Sequence, residues 1–224
     1  MCTLSLPNLI HTQMQSFLNF LEKRLKAPLP GPAAQKIMAP VPERDKHPEV
    51  SIPIDAFRNA VLILFSQSHN SRLEILYTLR SHRLLHHKGQ ISFPGGRRET
   101  NETPVETALR ETYEEVGIEP ERISVLGSLS PLYVPPSNNV IDPVTGYIDK
   151  IPRLKIQETE VSEAFTISLE ELYSGASKQR ESWLLRGKKY AVPYWNVHST
   201  PLWGATAMIT SEIMELYKEY LQKQ

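Results

Sequence analysis

Between Gly95 and Ile118 the chain reads GGRRETNETPVETALRETYEEVGI, and six of these residues are glutamate. Glu111, Glu114 and Glu115 stand within little more than one helical turn, where like charges repel by roughly a few tenths of a kcal/mol per pair. A solvated helix face mixes its charges, yet none of the three has a basic residue three or four positions further on. Carboxylate oxygens gathered in this way suit a hard divalent cation, Mg2+ or Mn2+, which also takes water and phosphate oxygens as ligands. Such a cation would remove the repulsion, so the spacing favours a metal site over a solvated face.

The acids need a helix to carry them. Thr103, followed by Pro104 and then by Glu106 three residues on, has the form of a capping box with proline at the first helical position. Gly117 stands where a helix should end. At roughly 100° per residue, Val105, Ala108, Leu109, Thr112 and Val116 form the core-facing stripe of that helix. Glu111, Glu114 and Glu115 fall in a separate wedge beside the stripe and are expected to converge just outside a sheet.

The rest of the chain is read as the frame for this helix. Its 224 residues carry 25 basic and 25 acidic side chains, which argues against gripping nucleic acid or an anionic membrane. Cys2 is the only cysteine, so no internal disulfide or thiolate cluster is available, as expected for a reducing, cytoplasmic setting. The longest apolar run, AVLILF at 60–65, is too short to span a bilayer, and the first residues lack the features of a signal peptide. Residues 8–25 have helical spacing of Leu9, Ile10, Met14, Phe17, Leu18, Leu21 and Leu25, an amphipathic helix that packs on the body or on a second copy. The passage from Pro28 to Pro53 holds seven of the 18 prolines and is expected to be an extended arm without helix. AVLILF and LEILYTLRS, separated by SQSHNS, predict a hairpin, and Ile91–Phe93 a short strand. RISVLGSLSPLYV, VIDPVTGYID, AFTIS and YAVPYWNV predict further strands, LEELYS a helical turn, and GATAMITSEIMELYKEYLQK a closing helix. The domain division expected is a helix and proline-rich arm over 1–50 and a catalytic domain over 51–224. The class expected is α/β, a mixed sheet with helices packed on it.

Gly96, Glu102, Arg110-Glu111, Glu114-Glu115 and Gly117-Ile118 reproduce the pattern G-x5-E-x7-R-E-U-x-E-E-x-G-U, with Thr112 at the aliphatic position. This resembles the box of the Nudix hydrolases. The resemblance implies an α/β/α sandwich that cleaves a nucleoside diphosphate linked to another moiety with the help of Mg2+ or Mn2+. It implies that Glu111, Glu114 and Glu115 hold the metal and that Glu102 and Arg110 form an orienting salt bridge. It also implies that Gly95 and Gly96 make a loop through which the helix approaches the diphosphate. Upstream, LYTLRSHRLLHHKGQISFPGG (76–96) is similar to the signature of coenzyme A pyrophosphatases, L-L-T-x-R-S-x3-R-x3-G-x3-F-P-G-G, with Tyr77 and Leu85 as departures. Downstream, ETEVSEAFTISLEELY (158–173) resembles that subfamily's E-V-x-x-x-F-x-V-P-L-x-x-L, with Ser168 for proline, and PLWGATAMI (201–209) resembles its closing helix. The reaction so implied is hydrolysis of the diphosphate of coenzyme A or an acyl-CoA to 4′-phosphopantetheine, or its acyl form, and adenosine 3′,5′-bisphosphate.

Within that reading Glu111 or Glu115 is the first candidate for the general base and Glu160 the alternative. Arg80 is a candidate phosphate contact. His82, His86 and His87 lack firm ligand spacing, Trp195 and Trp203 are read as packing aromatics, and PLYVPPSNN (131–139) as a substrate-facing loop. The partner expected is a small-molecule nucleotide, with no nucleic acid and no membrane, and the N-terminal helix is compatible with a homodimer. Rival readings are a pyrophosphatase for ADP-ribose, NADH or another conjugate, and a non-catalytic nucleotide sensor. A sensor is expected to have lost box carboxylates, and all are present here.

Overall fold

The computed structural model describes residues 6–43, 52–68 and 70–224, with side chains described from Gln15 onward. Cys2, the side chains of Leu9, Ile10 and Met14, and residues 44–51 of the arm lie outside the described residues. In chain order the elements are α1 (Leu6–Arg24), α2 (Gly31–Gln35), β1 (Val41–Pro42), β2 (Phe57–Gln67), β3 (Leu73–Arg80), β4 (Ile91–Ser92) and β5 (Gly95–Arg97). There follow α3 (Pro104–Val116), β6 (Ser124–Ser128), β7 (Leu132–Val134), β8 (Asn139–Ile148), β9 (Val161–Ser168), α4 (Leu169–Ser174), β10 (Lys178–Leu185), β11 (Lys188–Trp195) and α5 (Gly204–Leu221).

The main sheet runs β4-β3-β2-β8-β6, with β5 also on β2, β7 on β8 and β9 on β3. It is mixed: β2 pairs antiparallel with β3 and parallel with β8. The apolar run of β2 sorts by the strand's period of two. Leu62 and Leu64 join Ala108 and Val116 of α3 in one core, whereas Ile63 and Phe65 join Ile209, Ile213 and Tyr217 of α5 in the other. The sheet is therefore the middle layer, with α3 on one face and α5 on the other. A second sheet, β1-β11-β10, stands beside it.

Phe17, Leu18 and Leu21 of α1 are buried in the α5-side core, where Phe17 meets Phe65, Tyr217 and Tyr220 edge-on. The described part of α1's apolar face is thus covered within the chain.

The arm departs from expectation. It holds α2 and a 3-10 turn over Lys36–Met38, because its prolines cluster at the ends and Pro32 occupies the first turn, where no N–H is needed. The segment is pinned by the buried Glu212 of α5, whose carboxylate accepts from the Gly31 N–H (3.0 Å), Gln35 Nε2 (3.0 Å) and the Ser130 N–H (3.4 Å). Strand β10 was not foreseen, since KQRESWLL is mostly polar; it exists because all eight of its residues pair with β11. Among the described residues no helix is long and apolar enough to cross a membrane.

Candidate active site

Helix α3 begins and ends as its sequence requires. The Thr103 hydroxyl accepts from the Glu106 N–H at 3.2 Å, the Glu106 carboxylate accepts from the Thr103 N–H at 2.7 Å, and Gly117 closes the helix at φ 72°. Its faces differ from the expected wedge. Glu115 is 2% exposed and belongs to the inward face with Thr107, Ala108, Thr112 and Val116, while Val105 and Leu109 are half-buried. Glu111 is half-buried and Glu114 exposed. The three carboxylates therefore differ in depth, from Glu115 on the inward face to Glu114 in solvent.

The floor beneath them is β5. Gly95 and Gly96 form a strand on Val61 and Ala60 of β2, where a loop was expected. A Cβ on Gly95 would lie 2.4 Å from the Ala60 carbonyl oxygen, and one on Gly96 2.4 Å from the Glu111 carboxylate. Only glycine lets the strand and the helix approach this closely. The Gly95 N–H donates to Glu115 Oε2 at 3.2 Å.

Arg110 organises the outer side. It donates from Nε and Nη2 to the two oxygens of Glu102 (2.6 and 3.1 Å), and from Nη1 to Glu111 (2.9 Å) and Glu114 (3.1 Å). Its Nη2 also reaches the Arg97 carbonyl at 3.1 Å, tying the helix to β5. Glu111 and Glu114, which have no basic neighbour ahead of them, are thus partnered from behind by Arg110, at the i−4 position for Glu114. The arginine, with the Glu99 N–H and the Thr107 hydroxyl, holds Glu102 down to about 2.

The inner carboxylates are shifted the other way. Burial pushes Glu115 up to about 8, against the opposing pull of Arg80 and the Gly95 hydrogen bond, and Glu111 and Glu160 add repulsion. Burial also raises Glu111, with Arg110 opposing and Glu114 and Glu160 reinforcing. Glu160 is exposed, on a turn held at both sides. Gln157 N–H donates to the Glu115 carbonyl at 2.9 Å, while Ser81 N–H donates to the Glu160 carbonyl (2.8 Å) and Ser81 Oγ to the Glu158 carbonyl (3.1 Å). The sequence marks Ser81 only as a position of the upstream signature, and its role as a clasp appears once the turn opposite is placed.

Arg80, at the end of β3, has a buried Nε without a hydrogen-bond partner. A buried N–H left unpaired beside two crowded carboxylates suits a site completed by an anionic ligand and a cation. Among the described residues no three His, Cys, Asp or Glu side chains are already gathered into a metal nest. The donors nevertheless fit Mg2+ or Mn2+: they are all oxygen, and two are desolvated and mutually repelling.

The other candidates have the following surroundings. His82, His86 and His87 are exposed, His87 bonding Gln90 at 2.8 Å, and Leu85 of the same loop is 90% exposed. Trp195 is buried with its N–H on the Leu172 carbonyl, and Trp203 packs edge-on to Trp183. PLYVPPSNN is a strand and a 3-10 turn, with Tyr133 OH donating to Asn138 Oδ1 at 3.0 Å, rather than an open loop.

The model of the NUDIX domain matches residues 56–186. "Nudix hydrolase 3" of Caenorhabditis elegans is 29% identical over 76% of this chain and 78% of its own length. The human "Mitochondrial coenzyme A diphosphatase NUDT8" is 37% identical over 63% of this chain and 62% of its own. The mouse "Peroxisomal coenzyme A diphosphatase NUDT7" is 35% identical over 46% and 44%. Among solved structures, the Nudix hydrolase RenU of M. smegmatis aligns at a TM-score of 0.49 and 15% identity, over 73% of this chain and 87% of that one.

Proposed function

We propose that this chain, which belongs to the Nudix family and is a Nudix pyrophosphatase, hydrolyses the diphosphate of coenzyme A or an acyl-CoA. Water adds to one phosphorus and the P–O–P bond breaks, leaving 4′-phosphopantetheine, or its acyl form, and adenosine 3′,5′-bisphosphate. The observation that supports this most is the place of the segment from Thr78 to Gly96. Its Arg80 reaches toward Glu115 with an unpaired N–H, and its Gly95 and Gly96 form the floor under Glu115 and Glu111. That segment is one of the parts of the chain that resemble coenzyme A pyrophosphatases, and relatives named as coenzyme A diphosphatases are 35–37% identical to this chain over matched regions of 104–147 residues.

In this reading Glu111 and Glu115 hold Mg2+ or Mn2+, with Glu114 at the rim. The bound cation supplies Lewis-acid neutralisation of the diphosphate charge. Arg110 and Glu102 keep Glu111 in place, Gly95 orients Glu115, and Arg80 binds a phosphate oxygen. The proton of the attacking water passes to one of Glu111, Glu115 and Glu160. Exposure favours Glu160, whose side chain faces solvent. Cytoplasmic residence belongs to the same proposal, and imaging of the tagged full chain tests it against the mitochondrial and peroxisomal names of its relatives.

The deciding experiment incubates purified protein and Mg2+ or Mn2+ with CoA, acetyl-CoA, ADP-ribose and NADH separately, with products read by mass spectrometry. Adenosine 3′,5′-bisphosphate from CoA is the expected result. AMP from ADP-ribose or NADH with CoA intact would overturn the substrate assignment and keep the chemistry.

A further inference from the structure

Glu115 and Arg80 lie to one side of the two glycines, and the other side carries cations that the reaction so far does not use. Arg97 of β5 stands opposite Asn59 of β2, so the next pair outward, Arg98 and Arg58, face each other, with the Arg98 N–H on the Arg58 carbonyl at 2.9 Å. Arg58 lies two residues before Ala60 and Arg98 two residues after Gly96. Both side chains therefore belong to the sheet face that carries α3 and Glu111, about 7 Å along the strand from Gly96. Like charges directly opposite across two strands are destabilising. Both arginines are exposed, and neither forms an ion pair among the described residues. The acid near them is Asp142 of β8, half-buried and level with Ala60, on whose charge both arginines act. Glu102 and Glu111 are occupied by Arg110. Two guanidiniums against one carboxylate leave net positive charge and a surplus of N–H donors, in the planar fork that matches phosphate oxygens.

We infer that Arg58 and Arg98 form a second anion subsite, which takes a phosphomonoester carried on the ribose of the nucleotide half, apart from the diphosphate at Glu111 and Glu115. Asp142 orients the pair from the strand side. The inference rests on the coenzyme A reading, since that substrate carries a 3′-phosphate there, and it makes the arginine pair a determinant of specificity.

The test is calorimetric binding of adenosine 3′,5′-bisphosphate, adenosine 2′,5′-bisphosphate and AMP to the full chain with Mg2+ present, for wild type, Arg58→Gln and Arg98→Gln. Charged hydrogen bonds of this kind correspond to about tenfold or more in affinity. Wild type is expected to prefer the 3′,5′-bisphosphate over AMP by about that factor, and each variant to lose the preference while its affinity for AMP stays the same. Melting temperature should hold or rise in the variants, because a repelling pair has been relieved. Equal affinity for the three ligands, a stronger hold on the 2′,5′ isomer, or a fall in melting temperature with the preference intact would overturn the inference. The outcome is separable from the substrate assignment. A 3′,5′ preference without CoA turnover would sink that assignment alone, and CoA turnover without the preference would sink the arginine subsite alone.

Discussion

Glu115 combines two properties that ordinarily exclude each other in a glutamate, near-complete burial and a place in an acidic cluster. Burial dominates its proton affinity, so in the metal-free protein this carboxylate works against the fold rather than for it. Replacing it by Gln should cost orders of magnitude in kcat while the metal-free melting temperature stays level or rises. Steady-state kinetics and a thermal melt on one preparation check this, and near-normal turnover would refute the role. Gly96 carries a second prediction at this scale. An added methyl would lie 2.4 Å from the Glu111 carboxylate, which must then move. Gly96→Ala should therefore weaken Mg2+ activation markedly, seen as a rightward shift of the metal titration, with modest loss of stability because the strand stays paired. An unchanged titration would show that Glu111 does not need its present seat.

Helix α3 shows how local signals deliver a side chain to a site. The capping box, Pro104 and Gly117 set where the helix starts and stops, and therefore which residues stand over Gly95 and Gly96. Thr103→Ala removes one half of the reciprocal cap and should cost about 1 kcal/mol in urea unfolding. Activity per folded molecule should change little, since Glu111 and Glu115 lie two to three turns away from the cap. The arm teaches the opposite lesson. Seven prolines between Pro28 and Pro53 read as an unbroken extended run, yet the proline-free stretch after Pro32 turns helical and docks on Glu212. Composition averaged over the passage concealed a boundary that individual positions would have shown.

At the scale of the molecule, charge is neutral overall and strongly sorted locally, and the Glu102–Arg110 pair is the hinge of that sorting. The folded carboxyl of Glu102 sits near 2, below its ordinary range near 4.5, so its stabilising effect is present above about 4.5 and disappears as pH falls toward 2. Part of this is screened by solvent, since both partners keep some exposure. Glu102→Gln should accordingly be less stable than wild type at pH 7, and the gap should close as unfolding is measured at pH 4 and then pH 3. A gap that does not change with pH would mean that the pair contributes packing rather than charge.

Much of this was legible in the residue order, for physical reasons. Spacing along one helix is a local property, so the box and its caps identified α3, its limits and its chemistry without knowledge of the fold. The strand over AVLILF and the closing helix were legible in the same way. What the sequence could not decide was set by long-range pairing. Only β2 lying against β5 turns Gly95 and Gly96 from a loop into a floor, sinks Glu115, and opposes Arg58 to Arg98. Only β3 ending beside the 157–160 turn lets Ser81 hold Glu160 near the other acids. Local spacing determines what a segment can do, whereas burial and partnership depend on atoms distant along the chain, and those decide which of the acids are shielded, paired or left facing water.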